Sequence, residues 1–417
     1  MKSWPAPFVP AVPGHGDPLQ LFDTQSGSVR PVDAGPVATL YVCGITPYDA
    51  THLGHAATYV TFDLVGRALR DAGHRVHYVQ NVTDVDDPLL ERAARDGRDW
   101  RELATAEIDL FREDMTALAV VPPDALVGVV ESMPEITREV RALLADGAAY
   151  RLPVPDGEAN GEDVYLDLSR APSFGSVSGW TRDQMAAVFA DRGGDPDRAG
   201  KRDPFDPLLW RAARDGEPCW DDAVLGAGRP GWHIECTAIS LDRLGHPLDI
   251  QGGGTDLVFP HHEMSAVQSA ALTHDDTFAR HYVHQAMVGY EGAKMSKSRG
   301  NLVLVSRLRT DGVDPMAIRL VLLDQHYRTD WDYTPDLLEA ALARLARWRE
   351  ALSVNQGAEA TATIAAVRAA IADDLDTRTA LAAVDDWADR TLGGRWIDPG
   401  APGLVARTVD AVLGVRL

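Results

Sequence analysis

Two lysines lie three positions apart in the stretch EGAKMSKSRGN, residues 291–301. The chain of 417 residues has 40 lysines and arginines, and only four of them, Lys2, Lys201, Lys294 and Lys297, are lysines. A lysine ammonium is a compact, mobile charge, whereas the arginine guanidinium is planar. A glycine-flanked loop with half of the lysines therefore predicts a site that closes over a polyphosphate as charge develops. An ordinary solvated basic loop is the alternative.

The segment HLGH, which runs from His52 to His55, stands between a predicted strand and a predicted helix. The first N–H groups of a helix and its dipole attract anions, so two imidazoles beside a glycine suit a nucleotide phosphate. Histidines near a helix start are also common on protein surfaces. HLGH alone leaves both interpretations open.

Cys43, Cys236 and His261 carry thiol and imidazole groups of the kind that ligate zinc. Three protein ligands would leave the fourth position of a tetrahedral site open. The alternative is that the cysteines are inert core residues, since small buried thiols pack like apolar groups. We predict a structural role for Cys219. Three further histidines, His262, His281 and His284, are equally compatible with core or rim positions and with a role as ligands.

Three glycines end a predicted strand in QGGGTDLVFPHH, residues 251–262. Parallel α/β sheets bind ligands at the carboxyl ends of their strands. Asp256 is therefore a candidate partner for a ribose hydroxyl, and Trp232 of PGWH is a candidate pocket wall. A tight turn and a core tryptophan are the respective alternatives.

The elements that must position these residues repeat a strand–helix–strand order. Apolar runs bounded by turn residues predict the strands, and helical spacing predicts the helices. Crossovers of this kind are right-handed and give a parallel sheet with helices on both faces, so we predict an α/β, Rossmann-like fold. The predicted strands cover 38–44, 74–83, 246–253 and 281–289, and the predicted helices cover 56–71, 100–118 and 261–273.

Changes in composition along the chain predict its domains. A stretch rich in Pro, Gly and Asp separates the two halves and predicts an insertion, while Ala, Leu and Arg at helical spacing after Thr334 predict a bundle. We expect an N-terminal leader (1–35), a first Rossmann half (36–118), a connective insertion (119–202), a second half (203–300), a stem-like connection (301–334) and a C-terminal helical bundle (335–417).

The overall composition argues against several classes of protein. It is 45% hydrophobic and 24% charged, which is typical of globular chains. A formal net charge of −22 argues against non-specific binding of nucleic acid, which needs Lys and Arg on phosphates. Three separated cysteines make no disulfide framework, no run approaches the roughly 18 apolar residues of a membrane span, and the N-terminus lacks a secretory pattern. We expect a soluble cytoplasmic protein.

Five motifs, YVCG…HLGH, NVTDVDD, GRPGWHIEC, GGGTDLVFPHHE and KMSKS, follow one another over residues 41–298. Together they resemble the catalytic domain of the class I cysteinyl-tRNA synthetases and of the related ATP-dependent ligases that join cysteine to glucosaminyl-inositol (GlcN-Ins) in mycothiol synthesis. HLGH is similar to the HIGH motif of this superfamily, and KMSKS matches its mobile loop in every letter. The resemblance implies a class I aminoacyl-tRNA synthetase fold.

The resemblance also implies a role for each matching residue in forming cysteinyl-adenylate. The groups that hold the phosphates of ATP, which is expected with Mg²⁺, would be His52, His55, Lys294 and Lys297. The ligands of a Zn²⁺ ion that binds the substrate thiolate would be Cys43, Cys236 and His261. The adenylate pocket would consist of Gly44, Ile45, Thr46, Thr58, Asn81, Val82, Thr83, Trp232, Gly254, Thr255, Asp256 and Val288.

Departures from the synthetase pattern favour the ligases. The synthetases carry a further acidic ligand in HHE-x-E, where this chain has Ser265, so the zinc site would stay open. The chain has CGIT in place of CGPT, and Pro88 follows the aspartates in place of lysine. DRGGDP, residues 191–196, is similar to a ligase motif, and we expect the base for the acceptor amine near it. Residues 335–417 are short for an anticodon domain and carry 9 arginines against 12 acids.

We therefore expect a monomer that ligates L-cysteine to GlcN-Ins with ATP, without nucleic acid or membrane partners. A cysteinyl-tRNA synthetase with a reduced C-terminal domain is the first alternative, and a basic face across the insertion and the bundle would favour it. A non-catalytic relative that binds nucleotide or zinc is the second, and the intact HLGH and KMSKS motifs argue against it.

Overall fold

The computed structural model describes residues 1–155, 161–295, 300–395 and 398–417. The strands are β1 (Gln20–Asp23), β2 (Ser28–Pro31), β3 (Val37–Val42), β4 (Arg75–Val82), β5 (Ala125–Gly128), β6 (Ala149–Pro153), β7 (Glu162–Leu166), β8 (Leu208–Ala212), β9 (Gly228–Pro230), β10 (Leu248–Gly254), β11 (Ala279–Gln285), β12 (Val288–Tyr290), β13 (Ala293–Lys294) and β14 (Trp331–Tyr333). The α-helices are α1 (Leu53–Asp71), α2 (Asp87–Asp96), α3 (Trp100–Ala117), α4 (Met133–Ala145), α5 (Arg182–Phe189), α6 (Trp232–Leu244), α7 (Glu263–Thr273), α8 (Val305–Thr310), α9 (Pro315–Leu323), α10 (Pro335–Leu352), α11 (Thr361–Ala372), α12 (Thr377–Gly393) and α13 (Ala401–Thr408).

Five parallel strands form the central sheet, in the order β11-β10-β3-β4-β5. Alternate residues of a strand face opposite sides of a sheet. Leu40 of β3 accordingly packs in the core that contains Val60 of α1, whereas its neighbour Tyr41 packs in the core that contains Ile239 of α6. Helices thus cover both faces, and the predicted α/β fold with a parallel sheet is confirmed.

A buried ion cluster joins the first half of the sheet domain to α9. Arg319 of α9 is fully buried and pairs with Asp63 of α1. The same guanidinium donates to the carbonyls of Leu118 and Leu413, each at 2.8 Å. Arg67, one turn after Asp63, pairs with it at 2.7 Å. These contacts bind α1, α9 and the C-terminal segment into one core.

A second, antiparallel sheet of order β6-β7-β8-β9 lies between the two halves in sequence. Glu263, the first residue of α7, fixes a loop of this region, because its carboxylate accepts from the N–H groups of Gly175 and Ser178 at 2.8 Å each. The sheet continues to β9, past residue 202, and β5 belongs to the central sheet. The predicted domain boundaries stay predictions.

The chain leaves the central sheet earlier than the sequence indicates. A single strand over 281–289 is wrong, because β11 ends at Gln285 and β12 pairs with β14 instead. The N–H groups between the two strands bond elsewhere: that of Ala286 to the carbonyl of Tyr327 at 2.6 Å and that of Met287 to Asp330 at 2.8 Å.

Both ends of the chain pack on this framework. The predicted leader contains the hairpin β1–β2, and Asp23 at the end of β1 accepts from the N–H of Tyr282 at 2.9 Å. After residue 334, helices α10 to α13 bury Trp348 and Trp387, as the helical spacing predicts. None of the helices in the described ranges has the length and apolarity needed to cross a bilayer.

Candidate active site

The three predicted zinc ligands converge from three distant segments. Cys43 follows β3, Cys236 lies in the second turn of α6, and His261 lies in a wide helical turn just before α7. One ligand atom from each lies within 4.8 Å of the other two, and all three side chains are buried. Two thiols and an imidazole at this spacing fit a zinc ion and leave a fourth tetrahedral position.

The pKa values of the two thiols in this cluster are shifted in opposite directions. Burial raises the pKa of the Cys43 thiol, and its neighbour Cys236 raises it further. The Cys43 thiol and His261 lower the pKa of Cys236, although burial acts in the opposite direction. A thiolate is the form of cysteine that binds a metal, so Cys236 is poised as a ligand.

Two neighbours orient the His261 ring and its backbone. Nδ1 of His233 lies 3.0 Å from Nδ1 of His261, a contact of the kind that fixes the orientation of a ligating imidazole. The hydroxyl of Ser265 donates to the backbone carbonyl of His261 at 3.0 Å. Ser265 therefore supports the His261 segment from within α7. The sequence did not single out His233.

A line of histidines leads away from Cys43. Nε2 of His262 lies 3.2 Å from the Cys43 sulfur, and Nδ1 of the same ring lies 2.7 Å from Nε2 of His284. Nδ1 of His284 in turn lies 2.7 Å from the hydroxyl of Thr24. Burial lowers the pKa of both His262 and His284. The three histidines whose roles the sequence left open, His262, His281 and His284, are all buried. The contact of His262 with the Cys43 sulfur was not predicted. The two adjacent histidines in FPHHE were the sequence feature that could have indicated this contact.

Asn81 joins the ends of β3 and β4, where the adenylate pocket is predicted. Its Oδ1 accepts from the N–H of Gly44 at 2.8 Å and from the hydroxyl of Tyr41 at 3.2 Å. Its Nδ2 donates to the Thr83 hydroxyl at 3.2 Å, and the Thr83 N–H donates to the carbonyl of Ile45 at 2.9 Å. An added Cβ on Gly44 would lie 1.6 Å from the Asn81 carbonyl oxygen, so only glycine fits there.

The structure brings the other predicted pocket residues to the carboxyl edge of the sheet or beside it. Trp232, at the start of α6, stacks 4.3 Å from the His261 ring, and Thr58 of α1 donates to the Gly54 carbonyl at 3.2 Å. Ile45, Val82 and Val288 are buried, so they offer backbone or packing rather than polar side chains. Six of these other residues are half-buried: Thr46, Thr58, Trp232, Gly254, Thr255 and Asp256.

The HLGH motif forms the start of α1. His52 is the N-cap, and its Nδ1 accepts from the N–H groups of Gly54 at 3.1 Å and His55 at 3.4 Å. The rings of His52 and His55 stack with centroids 3.8 Å apart. Two of the N–H groups expected to face a phosphate are thus bonded to His52, and the paired imidazoles remain the candidate phosphate contacts.

The structure describes only part of the KMSKS segment. The backbone of Lys294 is in β13, paired with Gly289 of β12, and the side chain of Met295 is buried in the core. Lys297 lies outside the described residues, as does the side chain of Lys294. On the far side, Asn301 donates to the Tyr290 carbonyl at 3.2 Å.

Comparisons with known proteins match this chain to one family model and to relatives over its full length. The family model described as tRNA synthetases class I (C) catalytic domain matches residues 29–343. A protein of Nocardia farcinica named L-cysteine:1D-myo-inositol 2-amino-2-deoxy-alpha-D-glucopyranoside ligase is 61% identical, covering 100% of both chains. A protein of the same name from Thermobifida fusca is 58% identical, covering 100% of this chain and 99% of its own.

Solved structures share the fold at low identity. Methionyl-tRNA synthetase of Mycobacterium tuberculosis, bound by methionyl-adenylate, aligns with a TM-score of 0.62 and 16% identity, over 90% of this chain and 92% of that chain. The fold and the full-length identities agree with the predicted resemblance. The chain belongs to the family of L-cysteine:1D-myo-inositol 2-amino-2-deoxy-alpha-D-glucopyranoside ligases, which is built on the class I (C) tRNA synthetase catalytic domain.

Proposed function

We propose that this protein ligates L-cysteine to the amine of GlcN-Ins with ATP, through cysteinyl-adenylate, and releases AMP and pyrophosphate. The observation that carries the proposal is the cluster of Cys43, Cys236 and His261 at the carboxyl edge of the sheet. Three protein ligands, beside the predicted adenylate pocket, leave one position for a substrate thiolate. Full-length identity to named ligases supports the same substrates.

Zinc is the metal that best suits this cluster, since thiolate and imidazole are its preferred ligands. A bound Zn²⁺ would act as a Lewis acid and favour the thiolate form of the substrate cysteine. The buried residues around the cluster would exclude an analogue that offers no sulfur. Sites that leave a polar group unsatisfied by an analogue reject it by about 10⁴-fold or more.

The remaining residues of the proposal act on ATP and on the carboxylate of cysteine. His52 and His55 would contact the phosphates at the start of α1, and Lys294 and Lys297 would neutralise the charge that develops on pyrophosphate, with Mg²⁺ bound to ATP. The cysteine carboxylate attacks the α-phosphorus, and the neutral acceptor amine then attacks the activated carbonyl. This proposal includes a monomeric, cytoplasmic enzyme that acts on small molecules and uses no nucleic acid.

An acceptor competition tests this function. The purified protein is incubated with ATP, Mg²⁺ and cysteine, and either GlcN-Ins or cysteine-specific tRNA is added. We expect an amide on GlcN-Ins, identified by its mass, together with AMP. Cysteine esterified to tRNA would instead establish a cysteinyl-tRNA synthetase with a reduced C-terminal domain. Absence of both products and of AMP would favour a non-catalytic nucleotide- or zinc-binding relative.

A further inference from the structure

A large cavity opens beside the predicted adenylate pocket. Its volume is about 1320 Å³, and its walls include Thr46, Trp232 and Asp256 of that pocket. Ligand sites of small molecules have volumes of roughly 300–1,000 Å³. The cavity therefore has space for a second molecule of disaccharide size next to an activated cysteine.

Many of the side chains that line this cavity are charged. Asp87 at the start of α2 pairs with Arg211 of β8 at 3.0 Å and also with Arg229 of β9. Arg229 further pairs with Glu217 at 3.4 Å. Carboxylates accept from hydroxyl groups and guanidinium groups donate to them, so this lining suits a ligand rich in hydroxyls.

One wall is the loop 191–195, from the DRGGDP motif, and a buried lysine anchors it. The Lys201 side chain is 2% exposed, and its ammonium lies 2.8 Å from the Asp195 carboxylate and 2.7 Å from the Pro204 carbonyl. The hydroxyl of Tyr165 donates to the other oxygen of Asp195 at 2.5 Å. A buried ammonium with a carboxylate and a carbonyl around it holds the loop in one position.

The same loop reaches across to the segment that leads to the metal cluster. Arg192 donates to the backbone carbonyl of Asp256 at 2.9 Å and also to that of Phe259. A Cβ on Gly194 would lie 2.5 Å from the Phe189 ring, so the loop needs a glycine at that position. Asp191, directly before Arg192, lines the cavity and is exposed.

Asp86 also lines the cavity. Its half-buried carboxylate accepts from the N–H of Asp87 at 2.8 Å as the N-cap of α2. Burial raises the pKa of Asp86 to about 6, and the Asp87 charge adds to this, while the Asp87 N–H, Arg229 and His261 act in the opposite direction. Asp86 therefore offers a carboxyl group to a ligand in the cavity.

We propose that this cavity binds the acceptor, an amino sugar with many hydroxyl groups. Asp86 attracts the acceptor nitrogen, and the loop 191–195 contacts the hydroxyls of the acceptor. The inference rests on the proposed function and adds the acceptor site to it. It also gives the DRGGDP segment a role in acceptor selection, with Lys201 as the positioning residue that holds the segment in place.

Two partial reactions separate this inference from the proposed function. Cysteine-dependent ATP–pyrophosphate exchange needs no acceptor, whereas amide formation does. The variants are Asp86→Asn, which keeps an N-cap side chain, and Asp191→Asn at an exposed site. Asp183→Asn is the matched control, because Asp183 is exposed on α5 and does not line the cavity.

We expect both cavity variants to raise the KM for GlcN-Ins by about 10-fold or more, as the loss of a hydrogen bond to a charged group does, and by far more than they change the exchange rate. Asp183→Asn should leave that KM unchanged. Unchanged KM values in both cavity variants, with exchange intact in the wild type, would overturn the acceptor site alone. Absence of exchange in the wild type would overturn the proposed function and this inference together.

Discussion

Replacing Gly44 by alanine probes how closely the ends of β3 and β4 must approach. The added Cβ would lie 1.6 Å from the Asn81 carbonyl oxygen, and real Cβ contacts under 3.0 Å essentially never occur. The shortfall is about 1.4 Å, and the obstructing atom is backbone, which cannot rotate away as a side chain can. The two strand ends must therefore separate, and the 2.8 Å bond from the Gly44 N–H to Asn81 is strained or lost.

Such a displacement acts on Cys43, the preceding residue, and on the predicted adenylate pocket that follows. Misplacing reacting groups by about 1 Å costs about 10²-fold in rate. We expect Gly44→Ala to reduce cysteine-dependent ATP–pyrophosphate exchange by about 100-fold or more, and to lower the metal content. Gly35→Ala is the matched control, because an added Cβ there meets nothing within 4 Å.

The assay is steady-state exchange with each variant at saturating ATP, together with circular dichroism to establish folding. Gly35→Ala should retain the exchange rate of the wild type. If a folded Gly44→Ala variant instead kept an exchange rate within about threefold of the wild type, the activation barrier would have changed by less than about 1 kcal/mol. That result would refute the rigid coupling of the ends of β3 and β4 to the predicted adenylate pocket.

Three further substitutions test the metal ligands and the buried ion cluster. Cys236→Ser removes a proposed zinc ligand, so bound zinc measured by mass spectrometry should be lost. Cys219→Ser, at an exposed thiol, should retain the zinc, and equal zinc in both variants would contradict the proposed ligand set. Arg319→Met leaves the buried Asp63 without one of its partners and should lower the free energy of unfolding in urea by about 3–5 kcal/mol, against at most about 1 kcal/mol for the exposed Arg307→Met. A similar loss of unfolding free energy in both variants would refute the argument that a buried ion pair costs more to break than an exposed one. Burial acts to raise the pKa of Asp63, but its two arginine partners lower it below its ordinary value. Its contribution to stability is therefore present above about pH 4 and lost as the pH falls through the folded pKa, so the stability difference between wild type and Asp63→Asn should shrink below about pH 4. A difference that stays constant with pH would contradict this assignment.

The parts of the fold that are local in sequence were predictable. The apolar run 38–44 and the helical spacing over 56–71 correspond to β3 and α1, because a strand or a helix buried in a core leaves an apolar pattern within its own segment. The hairpin β1–β2 was not predicted, since it depends on Asp23 reaching Tyr282, more than 250 positions away. A pattern within the leader gives no sign of that contact.

In the candidate site, too, the sequence identified residues but not the contacts between distant segments. Motif resemblance selected Cys43, Cys236 and His261, and the structure brings all three together. The alternating pattern of residues carries no information about which ring meets which sulfur, so the approach of His262 to Cys43 was visible only in three dimensions. Asp86 was likewise passed over inside NVTDVDD, because its place in the cavity depends on β8, β9 and the loop 191–195.

The segment that carries His261 is coupled to the insertion from two sides. Glu263, two residues later, accepts from the Gly175 and Ser178 N–H groups, and Arg192 donates to the carbonyls of Asp256 and Phe259 just before it. Glu263 is fully buried and Arg192 is half-buried, and hydrogen bonds to such charged groups are costly to break singly. The loop 191–195 and the segment that carries His261 should therefore keep a fixed distance from each other. An acceptor bound against this loop would then be aligned with a cysteine bound at the cluster of Cys43, Cys236 and His261, without a separate closing motion.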